Sequence, residues 1–260
     1  MTWAHATNSR DQFEEAVSSS SVSAIECDVL MSSNQPSKPI LAHPPSKESD
    51  ISVESMLRFV LASGKNEKKN LRKHLKLDFK EIEALRPTLD LILNSDFTNT
   101  LEKNIFLNAD ILPGPGYEKD DSSILDPSIF TQTCLDYIQR FKVKNPKVLF
   151  GFSLGFKCNW KSEEGYLPMQ VSQMTELVNR YQLSSSGFGT KVILALNARQ
   201  LYKSLNCFDE FLRKYPDSTI LAWTGSGEPP ISKHQIHKIS KYYELKNTKD
   251  RVDFDCCVDG

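Results

Sequence analysis

Two histidines and two acids stand near the N-terminus at the ends of short apolar runs: His5 in TWAHATNS, Glu26 and Asp28 in SAIECDVL, and His43 in KPILAHPP. Each run is β-prone and closes on ionisable residues, which is how a strand delivers side chains to the rim of a sheet or barrel. On a strand, Glu26 and Asp28 share one face about 7 Å apart, and Cys27 points the other way. Two carboxylates on one face suit a hard divalent cation, Mg²⁺ or Ca²⁺, because such ions select oxygen ligands. The histidines suit proton transfer, since an imidazole titrates near working pH. Singly, an E-x-D on a strand is usually a solvated edge and a histidine usually a packed or surface residue. The combination is what points to phosphate chemistry.

The elements that must carry these residues follow in order. TWAHA reads as a first strand ending at His5; Asn8 and Ser9 are N-cap residues for a helix through DQFEEAV, with acids in its first turn. SAIECDVL is the second strand, and PILAH, entered through NQPSKP, is a short hairpin arm. ISVESMLRFVLASG places Met56, Leu57, Val60 and Leu61 at helical spacing and stops at Gly64. The basic run Lys65 to Lys73 reads as a solvated helix end or loop. HLKLDFK is the third strand, with Asp78 and Lys80 on one face. EIEALRPTLDLILNS is helical material interrupted by Pro87, and NIFLNAD is the fourth strand, with Asn108 and Asp110 on one face. The Pro- and Gly-rich stretch from Ile111 to Pro127 is long for a βα connection and is a candidate lid.

A helix capped by Asp126 and Pro127 leads to KVLFGFSLG, with Ser153 near the strand end. The helix LPMQVSQMTELVNRYQL, the turn SSSGFG and the strand KVILALNAR come next. One helix through QLYKSLNCFDEFLRKYP precedes STILAWTG, which carries Trp223. ISKHQIHKISKYYEL is a helix on which His234 and His237 read as surface residues, and RVDFDC is the eighth strand. Eight strands alternating with seven helical regions predict parallel strands joined by right-handed crossovers. The expected fold is α/β, a (β/α)8 TIM-type barrel lacking a regular last helix, as one domain over residues 1–260. In that fold the strand ends build the site, which adds Asn108, Asp110, Ser153 and Trp223 as substrate-binding candidates. No G-x-G-x-x-G follows the first strand, so a dinucleotide fold is disfavoured.

Composition narrows the partners. The 260 residues carry 32 Lys and Arg against 33 Asp and Glu, a formal charge of −1. No global field therefore favours nucleic acid or an anionic membrane. The six cysteines include no C-x₂-C pair, which argues against a zinc ribbon and points to a reduced, cytoplasmic setting. No stretch approaches the roughly 18 apolar residues of a transmembrane segment, and the N-terminus lacks a signal-peptide core. A protein partner is not readable from the sequence.

The motifs TWAHATNS, IECDV, PILAHPP, LKLDFK and IFLNADILPGPG, in that order, resemble the menorin family along the whole chain. More remotely, the order His, E-x-D, His and acid-x-Lys resembles the phospholipase-C-like phosphodiesterases, among them the glycerophosphodiester phosphodiesterases and sphingomyelinase D. The superfamily pattern implies His5 and His43 as the acid/base pair, Glu26, Asp28 and Asp78 as ligands of Mg²⁺ or Ca²⁺, and Lys80 as a phosphate contact. Its remote members more often have Glu at the Asp78 position. They follow the first histidine with Arg-Gly, whereas Ala6 and Thr7 stand here, and the second with Asp, whereas Pro44 stands here. The missing Arg would have been a bidentate phosphate clamp.

The expected function is a metal-dependent phosphodiesterase acting on a glycerophosphodiester or lysophospholipid-type headgroup by His/His acid-base chemistry. The alternative is an inactive menorin-type barrel that serves as a binding or signalling module in neuronal or sensory tissue. A glycosidase using Glu26 and Asp110 is a third reading, and it leaves the histidines without a role.

Overall fold

The computed structural model describes residues 1–64, 73–95, 104–117, 123–145, 149–184, 191–225 and 227–259. Its strands are β1 (Trp3–Ala4), β2 (Ala24–Met31), β3 (Pro39–Leu41), β4 (His74–Phe79), β5 (Ile105–Pro113), β6 (Phe150–Lys157), β7 (Lys191–Asn197), β8 (Thr219–Trp223) and β9 (Val252–Asp255). The helices are α1 (Arg10–Ser18), α2 (Val53–Gly64), α3 (Leu85–Asn94), α4 (Pro127–Lys144), α5 (Pro168–Arg180), α6 (Ala198–Lys203), α7 (Asp209–Lys214) and α8 (Lys233–Leu245). Eight strands follow the order β1-β2-β4-β5-β6-β7-β8-β9, and β3 pairs with β2 outside that path. With helices alternating between them, this is an α/β fold of the (β/α)8 TIM-type class. Among the described residues no helix follows β9.

The chain forms two compact units, one of Met1–Ala109 with Ser128–Gly151 and one of Asp110–Pro127 with Phe152–Gly260. In the first, β2 pairs in parallel with β1 and β4, β4 with β5, and β3 runs antiparallel to β2 as the expected hairpin arm. Period-two alternation sends Ile25, Cys27 and Val29, then Leu75, Leu77 and Phe79, then Ile105 and Leu107, to one face, where all are buried. Helices supply Phe13, Met56, Leu89, Phe130 and Phe141 to the buried core, with Phe79 edge-on to Phe130 at 6.2 Å and Phe141 stacked on Phe150 at 4.5 Å. The opposite face of the same strands carries Glu26, Asp28, Lys76, Asp78 and Asn108. A sheet with one wholly apolar face and charges on the other fixes its register, because a one-residue slip would exchange the two.

In the second unit β7 pairs in parallel with β8 and β8 with β9. Phe156, Tyr166 and Phe208 pack ring to ring there, with centroids 5.2–6.4 Å apart.

Three local expectations are corrected. Pro87 does not interrupt a helix: it is the third residue of α3, inside the first turn, where the amide it lacks would have no helical acceptor. The single helix expected over residues 200–216 is two short ones. Ser204 ends α6, its hydroxyl donating to Gln200 O at 2.7 Å and accepting the Tyr166 amide at 2.9 Å. Lys80 lies one residue past β4, although its amide still donates to Val29 O at 2.9 Å. Residues 65–72 of the basic run, 118–122 of the lid candidate and 185–189 of the SSSGFG turn lie outside the described residues. Lys73, which closes the basic run, is buried, and its ammonium donates to Val22 O at 2.7 Å and to Ser19 O. His234 and His237 are exposed on α8. All six cysteines are free thiols. Among the described residues no helix is long and apolar enough to cross a membrane.

Candidate metal centre

Parallel pairing brings the acids together. Asp28 of β2 lies in register with Asp78 of β4, and Asp78 with Asn108 of β5, so the three form one row across the sheet. Glu26 sits one layer below on the same face, opposite Lys76. Glu26, Asp28 and Asp78 each offer a carboxylate oxygen within 4.8 Å of the other two. Oxygens sharing one Mg²⁺ or Ca²⁺ lie at most about 4–5 Å apart, at metal–oxygen distances of about 2.0–2.6 Å. The all-oxygen donor set and its spacing therefore fit a hard divalent cation.

Each acid is held by named donors. Glu26 Oε2 accepts the Ala6 amide at 2.7 Å and lies 3.8 Å from His5 Nδ1. Ala6 has φ 50°, the left-handed region that a residue with a Cβ rarely enters, and that turn aims its amide at Glu26. Asn8 grips Asp28 twice: its side-chain amide donates to Asp28 Oδ2 at 2.6 Å, and its Oδ1 accepts the Asp28 amide at 2.9 Å. Lys80 Nζ bridges the row, 2.9 Å from Asp28 Oδ1 and 2.7 Å from Asp78 Oδ2.

The electrostatics differ from acid to acid. Burial, reinforced by Asp28, pushes the Glu26 carboxyl up to about 7 against the pull of Lys76 and His5. Burial would also raise Asp78, but the charges of Lys80 and Lys76 and hydrogen bonds from Lys80 and Asn108 bring it below its ordinary value. The two shifts have opposite consequences for stability. Between pH 4.5 and about 7 the folded chain holds the Glu26 proton more tightly than the unfolded chain does, so stability falls as pH rises through that window. Asp78 stabilises above its ordinary 3.8, and that stability is lost as pH falls below it. Cation-free unfolding free energy from urea titrations should accordingly drop by up to about 3 kcal/mol from pH 5 to pH 8, and Glu26→Gln should flatten the slope.

His43 takes a different position. Ala42, just before it, donates its amide to Asp28 O at 3.1 Å, so the backbone of β3 reaches the Asp28 level. The His43 ring itself is exposed, with Nδ1 2.6 Å from Pro44 O. Asp110, Ser153 and Trp223 belong to the second unit. There Asp110 O accepts the Leu125 amide at 3.1 Å, Ser153 is buried on β6, and Trp223 ends β8 in register with Asn197 and Asp255. Asn197 also caps α6 and donates to Glu228 Oε1 at 2.8 Å.

Sequence reading missed Asn8 and Lys76 as parts of the site. Ser9 does the helix capping through a capping box with Gln12, which frees the Asn8 side chain for Asp28. Lys76 was legible in principle, since period two puts it on the Asp78 face. Asn8→Ala removes both contacts to Asp28, and chemical denaturation should show a loss of about 1–3 kcal/mol.

Two sequence comparisons bear on descent, and a third is with a solved structure. Residues 1–252 match the Menorin N-terminal domain family. The human protein FAM151B is 31% identical over 233 residues, covering 88% of this chain and 74% of its own. Among solved structures, the Ignisphaera aggregans GH53 catalytic domain aligns at 13% identity and a TM-score of 0.40, covering 94% of this chain and 75% of that one. The family match over nearly the full length and the human relative agree with the ordered motifs from TWAHATNS to IFLNADILPGPG: the chain belongs to the menorin family.

Proposed function

We propose that the first unit carries a cation-dependent phosphodiesterase centre of the phospholipase-C-like kind, acting on a glycerophosphodiester or lysophospholipid-type headgroup. The observation that supports it most is the convergence of Glu26, Asp28 and Asp78 within 4.8 Å, with Lys80 across two of them and His5 beside the third. A divalent cation held by these carboxylates would supply positive charge to a non-bridging phosphate oxygen. Lys80, released from the two aspartates, contributes a point charge to the same phosphate. His5, at the mouth of the site and a third exposed, takes or gives a proton at the scissile ester. His43 takes the complementary role once its ring leaves Pro44 O. The left-handed turn at Ala6 occupies the place where the remote relatives carry their arginine, so phosphate binding here relies on Lys80 and the cation.

The test is a turnover screen with glycerophosphodiesters and lysophospholipids, run with Mg²⁺, with Ca²⁺ and with chelator. Cation-dependent release of the alcohol is the expected result. A second reading has one specific observation in its favour. Lys80 already bridges Asp28 and Asp78 as a built-in cation, as a binding or signalling module without chemistry would require. Absence of turnover under every condition selects that module.

A further inference from the structure

Lys76 is a buried charged residue of β4 to which the mechanism above gives no task. It is 3% exposed, directly across the parallel ladder from Glu26 and two residues before Asp78 on the same face. Among the described residues the close partner of its ammonium is the Trp3 ring, 5.7 Å to the centroid. The Trp3 indole nitrogen is itself buried without a hydrogen-bond partner. Burying a lysine side chain is costly unless an opposite charge answers it, and an aromatic face compensates only a small part of that cost. Packing alone would be served better by Met or Leu. What answers to its charge on this face is a pair of carboxylates, Glu26 at the paired position of β2 and Asp78 one layer above on β4 itself.

We infer that Lys76 is a positioning residue of this centre: its fixed ammonium, on the strand position paired with Glu26 and one layer beneath Asp78, is the resident counter-charge of both acids. It thereby sets how tightly a divalent cation is held and whether the loaded site attracts an anion. This rests on the cation reading given under Proposed function. Three ionised carboxylates with the ammonium groups of Lys76 and Lys80 leave one net negative charge. A divalent cation turns that into one net positive charge, the complement of a singly charged phosphodiester. Without Lys76 the loaded site would be neutral. Removing it should therefore move the two affinities in opposite directions, whereas a residue that served packing alone would weaken both when lost.

The experiment is calorimetric titration of the full chain at pH 8, wild type against Lys76→Met, Lys76→Gln and Lys76→Arg. CaCl₂ is titrated first, and dimethyl phosphate is then titrated at saturating Ca²⁺. The neutral variants should bind Ca²⁺ about tenfold more tightly, because a like charge beside the site is gone. They should bind dimethyl phosphate about tenfold more weakly, and Lys76→Arg should restore both values. Unchanged or weakened Ca²⁺ binding in the neutral variants overturns the inference while leaving the cation site intact. Binding of Ca²⁺ by none of the proteins overturns the cation reading as well. Failure of both neutral variants to fold even with Ca²⁺ present also overturns the inference, since the ion should then offset the missing ammonium.

Discussion

Lys80→Met should lower the stability of the cation-free protein by about 2–4 kcal/mol, read from urea denaturation at pH 8. The side chain is 20% exposed, and its Nζ lies 2.9 Å from Asp28 and 2.7 Å from Asp78, which are 4% and 14% exposed. Taking one partner from a buried ion pair strands the other charge, a loss of about 3–5 kcal/mol where burial is complete. Here two carboxylates paired in register on adjacent strands would face each other without the ammonium they share, and partial exposure moderates the penalty. Added Ca²⁺ should recover part of the loss, because an ion that binds only the folded chain stabilises it by linkage. A loss below about 0.5 kcal/mol would mean that solvent already neutralises these acids, and the tight row described here would then be wrong.

His5→Ala should reduce turnover of the best substrate in the screen by about 10²-fold to 10⁴-fold, the usual contribution of a general acid or base. Ca²⁺ affinity should change little, since Glu26 keeps the Ala6 amide at 2.7 Å as its donor. His43→Ala should lower turnover on the same scale, and removing both histidines should cost well short of the product of the single losses, because groups acting in one transition state are not additive. The rate against pH should be bell-shaped, one imidazole being neutral and the other protonated in the working form. Full activity in His43→Ala would assign the exposed ring on Pro44 O to the surface and leave His5 without its proposed partner.

How far the site could be read from the sequence depended on whether a local rule governed each residue. Alternation along one strand is local, so the shared face of Glu26 and Asp28, and the opposite facing of Cys27, follow from SAIECDVL alone. The row Asp28–Asp78–Asn108 is not local. It depends on the stagger between strands about fifty and thirty residues apart, which no short motif encodes, and it is why Lys80 meets both aspartates. Asn8 was hidden because a side chain next to a helix start has two competing uses, and tertiary contact with Asp28 decided between them. The break at Ser204 has the same origin: the stretch from Gln200 to Tyr215 has helical spacing, but a hydroxyl shared between Gln200 O and the Tyr166 amide ends the first turn. Pro87 was misread for lack of a boundary, since proline is a breaker inside a helix and a starter in its first turn.

The central claim is that Glu26, Asp28 and Asp78 form one cation site, and the most direct measurement is calorimetric titration of Mg²⁺ and Ca²⁺ into wild type and Glu26→Gln. The substitution keeps the side-chain shape and removes one charge, so it tests the donor set and not the packing. The account predicts one ion per wild-type chain, with affinity rising as pH passes through about 7, where Glu26 gives up its proton, and binding lost or greatly weakened in the variant. Equal binding by the two proteins, or none by wild type at pH 8, would contradict it.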